Sequence, residues 1–314
     1  NKESIMTNMK KLGLTALAGS LVATSAYAGA LDVTGTAKVT YASLDESEVT
    51  GNPYSMSQGI GFAGSGELDN GMTIHYTYSS TNMALSSSNL KLDMGDNGNL
   101  HFGNGSSATG IQAYYDKMPT AGEQVWDDLD GQANGVAIMT TTNTLGYSGT
   151  FSGIGISAAY NKSAAGTVGH AKSIALSSAD IIDGAEIGFA HADIPGSTNN
   201  NGTDQDTVYV TYTAGSVTMG GQITRINKSA ANSDVDRNHI AASVAVNENL
   251  SVSFGRSVVE FEATGKDDQE NTGLAFSYTM GSMTIAGFSN AEDNSGGTQG
   301  TDDSVHELSV AFAF

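Results

Sequence analysis

Beyond Ala28 the chain has no apolar run long enough to cross a membrane as a helix, yet it is written in segments whose apolar and polar residues alternate. In VTGTAKVTY, Val33, Gly35, Ala37, Val39 and Tyr41 share one phase, and Thr34, Thr36, Lys38 and Thr40 share the other. The closing stretch SVHELSVAFAF repeats the pattern with Leu308, Val310, Phe312 and Phe314. A period of two means strands with two unlike faces. An unprotected apolar strand in water invites aggregation, so this face is expected to be covered or to look away from water. If the protein sits in a membrane, only a closed β-barrel satisfies its backbone there.

The start of the chain points toward export. Lys10 and Lys11 precede the apolar stretch LGLTALAGSLVATSAYA, which closes on the small-residue pattern Ala26, Tyr27, Ala28. This reads as a signal peptide over residues 1–28, leaving 29–314 as a single barrel domain. The whole chain has a formal charge of −20, and the leader takes three lysines and one glutamate with it, so the remainder is more negative still. Such a chain is unsuited to nucleic acid. It contains no cysteine, which excludes disulfides and thiolate metal sites. Glycine and serine abundance would suggest disorder, but 39% hydrophobic residues in strict alternation argue for a folded sheet.

The alternation predicts strands near 31–43, 56–68, 71–82, 88–95, 98–105, 136–148, 152–163 and 169–178. The second half adds 185–194, 206–214, 216–227, 236–246, 249–261, 271–280, 282–291 and 304–314, sixteen in all. Their connections alternate between tight and long. The tight set includes DNG at Asp69–Gly71 and again at Asp96–Gly98, AGS at 214–216, NEN at 247–249 and GS at 281–282, which is turn chemistry. The long set is expected at 44–55, 83–87, 105–135, 164–168, 195–205, 228–235, 262–270 and 292–303. Pro53, Pro119 and Pro195 all fall in the long set, as they must if no strand has an open edge. Tyr41, Tyr147, Tyr160, Phe254, Phe312 and Phe314 sit where an interfacial aromatic girdle would place them. Alternation alone does not say which face is inside. Length, short turns against long loops, and the leader favour an all-β transmembrane antiparallel barrel of sixteen strands.

GELDNGMTIHYTYSS (66–80), NTLGYSGTFSGIGISAAYNKS (143–163) and the terminal strand ending in Phe314 resemble the general porins of Gram-negative outer membranes, nearer the alphaproteobacterial than the enteric type. That resemblance implies a sixteen-stranded homotrimer in outer-membrane lipid, with short periplasmic turns, long external loops and a third loop folded into the lumen. It also implies that Phe314 is the signal read by the barrel-assembly machinery. The enteric Pro-Glu-Phe-Gly-Gly run of the constriction loop is absent.

A sixteen-stranded barrel encloses an aqueous channel that something must narrow if passage is to be selective. The longest loop, about 105–135, carries Asp116, Glu123, Asp127, Asp128 and Asp130 against Lys117, and these acids are the expected pore constriction. The alternation points Lys38, Lys91 and Arg237 inward as a basic lumen wall that would oppose them. Carboxylates in a narrow passage favour cations. Arg225 and Arg256 fall on the apolar phase, which suggests bulges, a rim or a subunit contact. DDLDG at 127–131 raises Ca2+, but its spacing is not that of the calcium loop D-x-[DN]-x-[DN]-G, and otherwise no cofactor is implied. The six histidines lack ligand spacing; His75, His101 and His239 lie on the polar phase and read as pore lining.

Passive diffusion of ions and small hydrophilic solutes, with a preference for cations, is therefore the leading function. A channel selective for a sugar or an anion would need an aromatic slide or clustered bases. An enzyme would need a nucleophile motif such as G-x-S-x-G, which does not appear. An adhesin-type barrel would have a plugged interior.

Overall fold

The structure is a computed structural model that describes residues 31–44, 51–105, 109–131, 133–137, 139, 142–162, 169–196 and 202–314. The leader expected at 1–28 and the loop at 164–168 lie outside the described residues. Among the described residues there are sixteen strands: β1 (Asp32–Leu44), β2 (Tyr54–Glu67), β3 (Thr73–Thr81), β4 (Ala84–Asp93), β5 (Asn99–Asn104), β6 (Thr144–Phe151), β7 (Ile154–Lys162) and β8 (His170–Ser178). They continue as β9 (Ala185–Ile194), β10 (Thr203–Ala214), β11 (Val217–Lys228), β12 (Val235–Ala245), β13 (Leu250–Phe261), β14 (Gln269–Met280), β15 (Met283–Asp293) and β16 (Asp303–Ala313). Each strand pairs with its sequence neighbours, and β1 pairs with β16 from Thr36 opposite Ala313 to Leu44 opposite Val305. The barrel is closed, so no strand edge is left over. No helix among the described residues is long and apolar enough to cross a membrane, and the crossing falls to the strands.

The two phases become the two surfaces. Val33, Val39, Tyr41, Ile60, Phe62, Tyr76, Val208, Ile223, Ile240, Phe254, Leu274, Leu308 and Phe312 are exposed on the outside. Thr36, Lys38, Thr40, Gln205, Gln222, Asn271 and Asn290 take the alternate, inward positions of the same ladders. In a barrel of this size the outward apolar band is the lipid face and the polar lumen holds water.

Two expected segments differ. The sixth strand begins at Thr144, not near 136, because Val136 and Met139 are fully buried inside the barrel as part of the third loop. An apolar run of this length has no periodicity that separates a strand from a packed loop. The connection expected to be long at 83–87 is a two-residue turn, with Asn82 and Met83 at φ 52° and 67°, the left-handed geometry of a tight hairpin.

Arg225 and Arg256 do lie on the outward phase, but without the bulges expected there. Their ladders run in unbroken register, and each arginine meets an acid across a strand, Arg225 with Asp236 at 3.8 Å and Arg256 with Glu270 at 2.7 Å. Lys172 with Asp193 (3.0 Å) and His191 with Asp206 (2.9 Å) extend the same outer row over β8 to β10. The basic members stand two residues from a large apolar neighbour: Arg225 from Ile223, Arg256 from Phe254, Lys172 from Ile174 and His191 from Phe189. The row therefore marks where the apolar band ends. On this reading Leu274→Arg, in the middle of that band, should cost about 2–4 kcal/mol in chemical unfolding from lipid vesicles. Thr36→Asn, on the lumen phase, should change it far less; equal losses would mean that the faces are assigned wrongly.

Candidate functional site

The third loop turns inward and lies along the lumen wall from β7 to β16. Its first turn, a 3-10 helix over Gly110–Tyr114, packs on β7, β8 and β9. The wall makes room there with small residues: Ala159, Ala171, Ala175, Ala190 and Ala192 all point inward and are buried beneath the loop. Into that space go Ile111, Tyr114, Met118, Trp126, Val136 and Met139. Burying each large side chain is worth about 2 kcal/mol, so this lumenal core is a principal force holding the loop.

Side chains of β7 to β16 then catch the loop backbone. Ser157 and Ser173 Oγ accept from the Gly110 and Ile111 amides at 2.8 and 3.1 Å. Gln222 Nε2 donates to Tyr114 O at 2.9 Å, and Gln205 both accepts from Ala137 N and donates to Ala137 O at 2.9 Å. Asn290 Nδ2 donates to Gln124 O and Asp127 O at 2.9 and 3.1 Å. Buried Glu292 accepts from Gly131 N at 2.9 Å, and a Cβ added at Gly131 would lie 2.7 Å from that same oxygen, so the close approach needs glycine. Asp130 N donates to Asp303 Oδ2 at 2.8 Å. These wall residues were not singled out from the sequence. The available signal was the run of Ala, Gln and Asn on a lumen phase that elsewhere carries Ser, Thr and charge.

The predicted site residues separate under this geometry. Asp116, Glu123, Asp127 and Asp128 line one cavity of about 560 Å3, together with Lys38, Thr40, Ser55, Ser57 and Glu307. It lies between the loop and the wall of β1, β2 and β16. Asp130 faces a different cavity, beside Arg237, Gln269 and Lys228. Among the bases, Lys38 reaches the acid-lined cavity and pairs there with Glu307 at 2.8 Å. Lys91 points inward on β4, opposite His75 and His101 in the ladders and apart from the lining of that cavity. Arg237 also points inward, but it is pinned beneath the loop, where Nη1 donates to Asn134 O at 2.6 Å. Lys117 is paired with Glu186 at 3.2 Å, over the rings of Tyr114 and Tyr209.

His239 differs from its expected place in the pore lining. It is buried under the loop against the Trp126 ring, with centroids 4.5 Å apart. His75 and His101 do occupy inward positions, and His101 Nε2 lies 2.9 Å from Ser148 Oγ. No group of three or more His, Asp or Glu among the described residues is arranged to hold a metal, so DDLDG gains no support as a calcium site. Asp127 spends one carboxylate oxygen capping the turn, accepting from Gln124 N at 2.7 Å.

The loop carboxylates are electrostatically stressed. Burial raises Asp116 above the usual carboxylate range, and the Glu123 charge adds to the rise. Glu123 is raised chiefly by burial, then by Asp127, with Lys38 opposing. Burial likewise raises Asp127, partly offset by the hydrogen bond from Gln124. Desolvation and mutual repulsion both disfavour the charged form, and a cation in the cavity would relieve them.

A closed sixteen-stranded barrel with an apolar outside, a polar inside and a loop folded across the lumen defines a transmembrane channel of the diffusion type. The model of the Gram-negative porin family matches residues 13–314, and the chain belongs to that family. It is accordingly an outer-membrane porin, and the family consists of channels without enzymatic activity. A solved porin structure refined at 1.8 Å superposes with a TM-score of 0.69 at 16% identity, over 91% of this chain and 100% of that one. The anion-selective porin from Comamonas acidovorans gives 0.66 at 13% identity, over 91% and 99%. A mutant of the Rhodopseudomonas blastica porin gives 0.64 at 14% identity, over 91% and 100%. No curated protein matches by sequence.

Trp126→Ala removes the largest side chain of the lumenal core, and a truncation of this kind costs about 3–5 kcal/mol. The expected result is a loop that no longer stays docked, seen as a larger and noisier single-channel conductance with the barrel itself intact. An unchanged, quiet conductance would mean that the hydrogen bonds alone hold the loop.

Proposed function

We propose that the passage between the third loop and the β16–β1–β2 wall is the constriction of this porin, and that it prefers cations. The observation that carries the reading is the lining of one cavity by Asp116, Glu123, Asp127, Asp128 and Glu307 with a single base, Lys38. An ion entering a narrow, partly desolvated space feels these charges far more than it would in bulk water. Asp130 and Arg237 border a separate cavity, so they act on the approach to the passage, not on its narrow part. Lys91 contributes a milder positive charge from the free wall. The fold does not dictate the sign of selectivity, since one similar structure is an anion-selective porin. The side chains of the passage must supply it.

The assembly is proposed to be a homotrimer in outer-membrane lipid. Support comes from the asymmetry of the outer surface. The charge pairs lie on β8 to β14, whereas the outward positions of β16 and β1 to β6 carry no acid, lysine or arginine among the described residues and are apolar or small apart from Gln58, Asn104 and His306. An uncharged arc suits contact with another copy, and a charged rim suits lipid headgroups and water. Residues 1–28 are proposed to direct export and to be removed. Phe314, 80% exposed and hydrogen-bonded through its backbone to Gly35 at 2.8 and 3.1 Å, is proposed as the residue read during barrel assembly.

The zero-current potential of the mature protein in a planar bilayer under a salt gradient tests the function. A cation-selective sign is expected, reduced when Asp127 and Asp128 are changed to Asn; an anion-selective sign would refute the reading. The pH dependence follows from the raised carboxylates. Groups whose values lie above the ordinary acid range lose charge earlier on acidification, so cation preference should begin to fall above the pH at which exposed carboxylates titrate, near 4. In the double Asn variant that fall should be smaller.

A further inference from the structure

Resting on the constriction reading above, we infer that Glu307 is a specificity-determining residue of the channel, because it neutralises the one base that reaches the narrow passage. Lys38 projects from β1 and Glu307 from β16, the two strands that close the barrel, and their charged atoms meet at 2.8 Å inside the acid-lined cavity. Every other inward base lies elsewhere. Arg237 is spent on Asn134 O beneath the loop, Lys117 on Glu186, and Lys91 lies beyond the lining. With Lys38 paired, no uncompensated base remains among the residues lining the cavity of the four loop acids, whose other wall residues are Thr40, Ser55 and Ser57.

The consequence reaches past the sign of selectivity to the class of solute. Two opposed walls of unlike charge would create a transverse field that orients dipolar molecules. A passage that is negative on one side and neutral on the other sorts solutes by net charge, so small cations gain and zwitterions gain little. The pair is partly buried, with Lys38 at 34% and Glu307 at 13% of full accessibility. Glu307 was not among the acids expected from the sequence, since it stands on the last strand, far along the chain from the loop it joins.

Two single variants and their combination test the inference in bilayer measurements at low salt. Glu307→Gln frees Lys38 and should lower the cation-to-anion permeability ratio by roughly twofold. Lys38→Met frees Glu307 and should raise the ratio by a similar factor, and the double variant should return near the wild type. Both shifts should shrink at about 1 M salt, where the Debye length is near 3 Å. A pair that merely fastens the β1–β16 seam would lower thermal stability in both single variants without moving the potential, and that result overturns the inference. Should Glu307→Gln fail to insert, Lys38→Met alone decides: no rise in the ratio refutes the role of Glu307. The sign of the wild-type potential tests the cation preference separately, because the shifts are read relative to the wild type whatever its sign.

Discussion

Closure of the hydrogen-bond ladder between β1 and β16 is the constraint on which the rest of this structure depends. In hydrocarbon an unpaired strand edge leaves a row of backbone groups without partners, each costing several kcal/mol, so a sheet survives there only as a cylinder. Once the cylinder is closed, every residue belongs to one of two surfaces by parity alone. The outer surface is committed to lipid. The inner surface is free of that demand, and this freedom lets the lumen phase carry alanines in one place, amides in another and charges in a third.

The third loop uses that division of the lumen. On β7 to β9 the inward alanines leave a shallow recess that Ile111, Tyr114, Val136 and Met139 fill. On β10 to β16 amides and carboxylates satisfy the loop backbone, as Gln222, Gln205, Asn290, Glu292 and Asp303 do. A loop buried without such partners would leave orphaned peptide groups, which is why long loops ordinarily stay on the surface. Docking against this wall pushes the acidic edge of the loop toward β1, β2 and β16. The acids are thus held in a partly desolvated place at a cost that their raised affinity for protons records.

Much of this architecture was legible because strand alternation and turn residues are local. Sixteen segments, the inward phase of Lys38 and Lys91 and the outward phase of Phe312 follow from parity, and a slip by one residue would have inverted every side chain. Val136 and Met139 do not extend the sixth strand as expected, because a short apolar run has the same appearance whether it packs as a strand or as a loop inside the lumen. The loop acids were legible as acids, since they are close together in the chain. Their partners were not. Whether an inward base faces open water or lies under the loop depends on its position around the circumference, and parity is silent about circumference. Arg237 and Lys38 share a phase and end in opposite circumstances for that reason alone.

Circumferential position also explains how the fold can leave the charge of the lumen to a few side chains. The ladder, the lipid face and the recess for the loop can remain while the few side chains of the free wall change, because those side chains hold up nothing else. Here the wall of the acid-lined cavity offers hydroxyls and one lysine, and the strand that closes the barrel brings Glu307 beside that lysine. The same closure that satisfies the backbone therefore sets two residues from opposite ends of the chain side by side in the water path. The seam is a mechanical necessity of the membrane, and in this porin it is also where Lys38 and Glu307 meet at 2.8 Å.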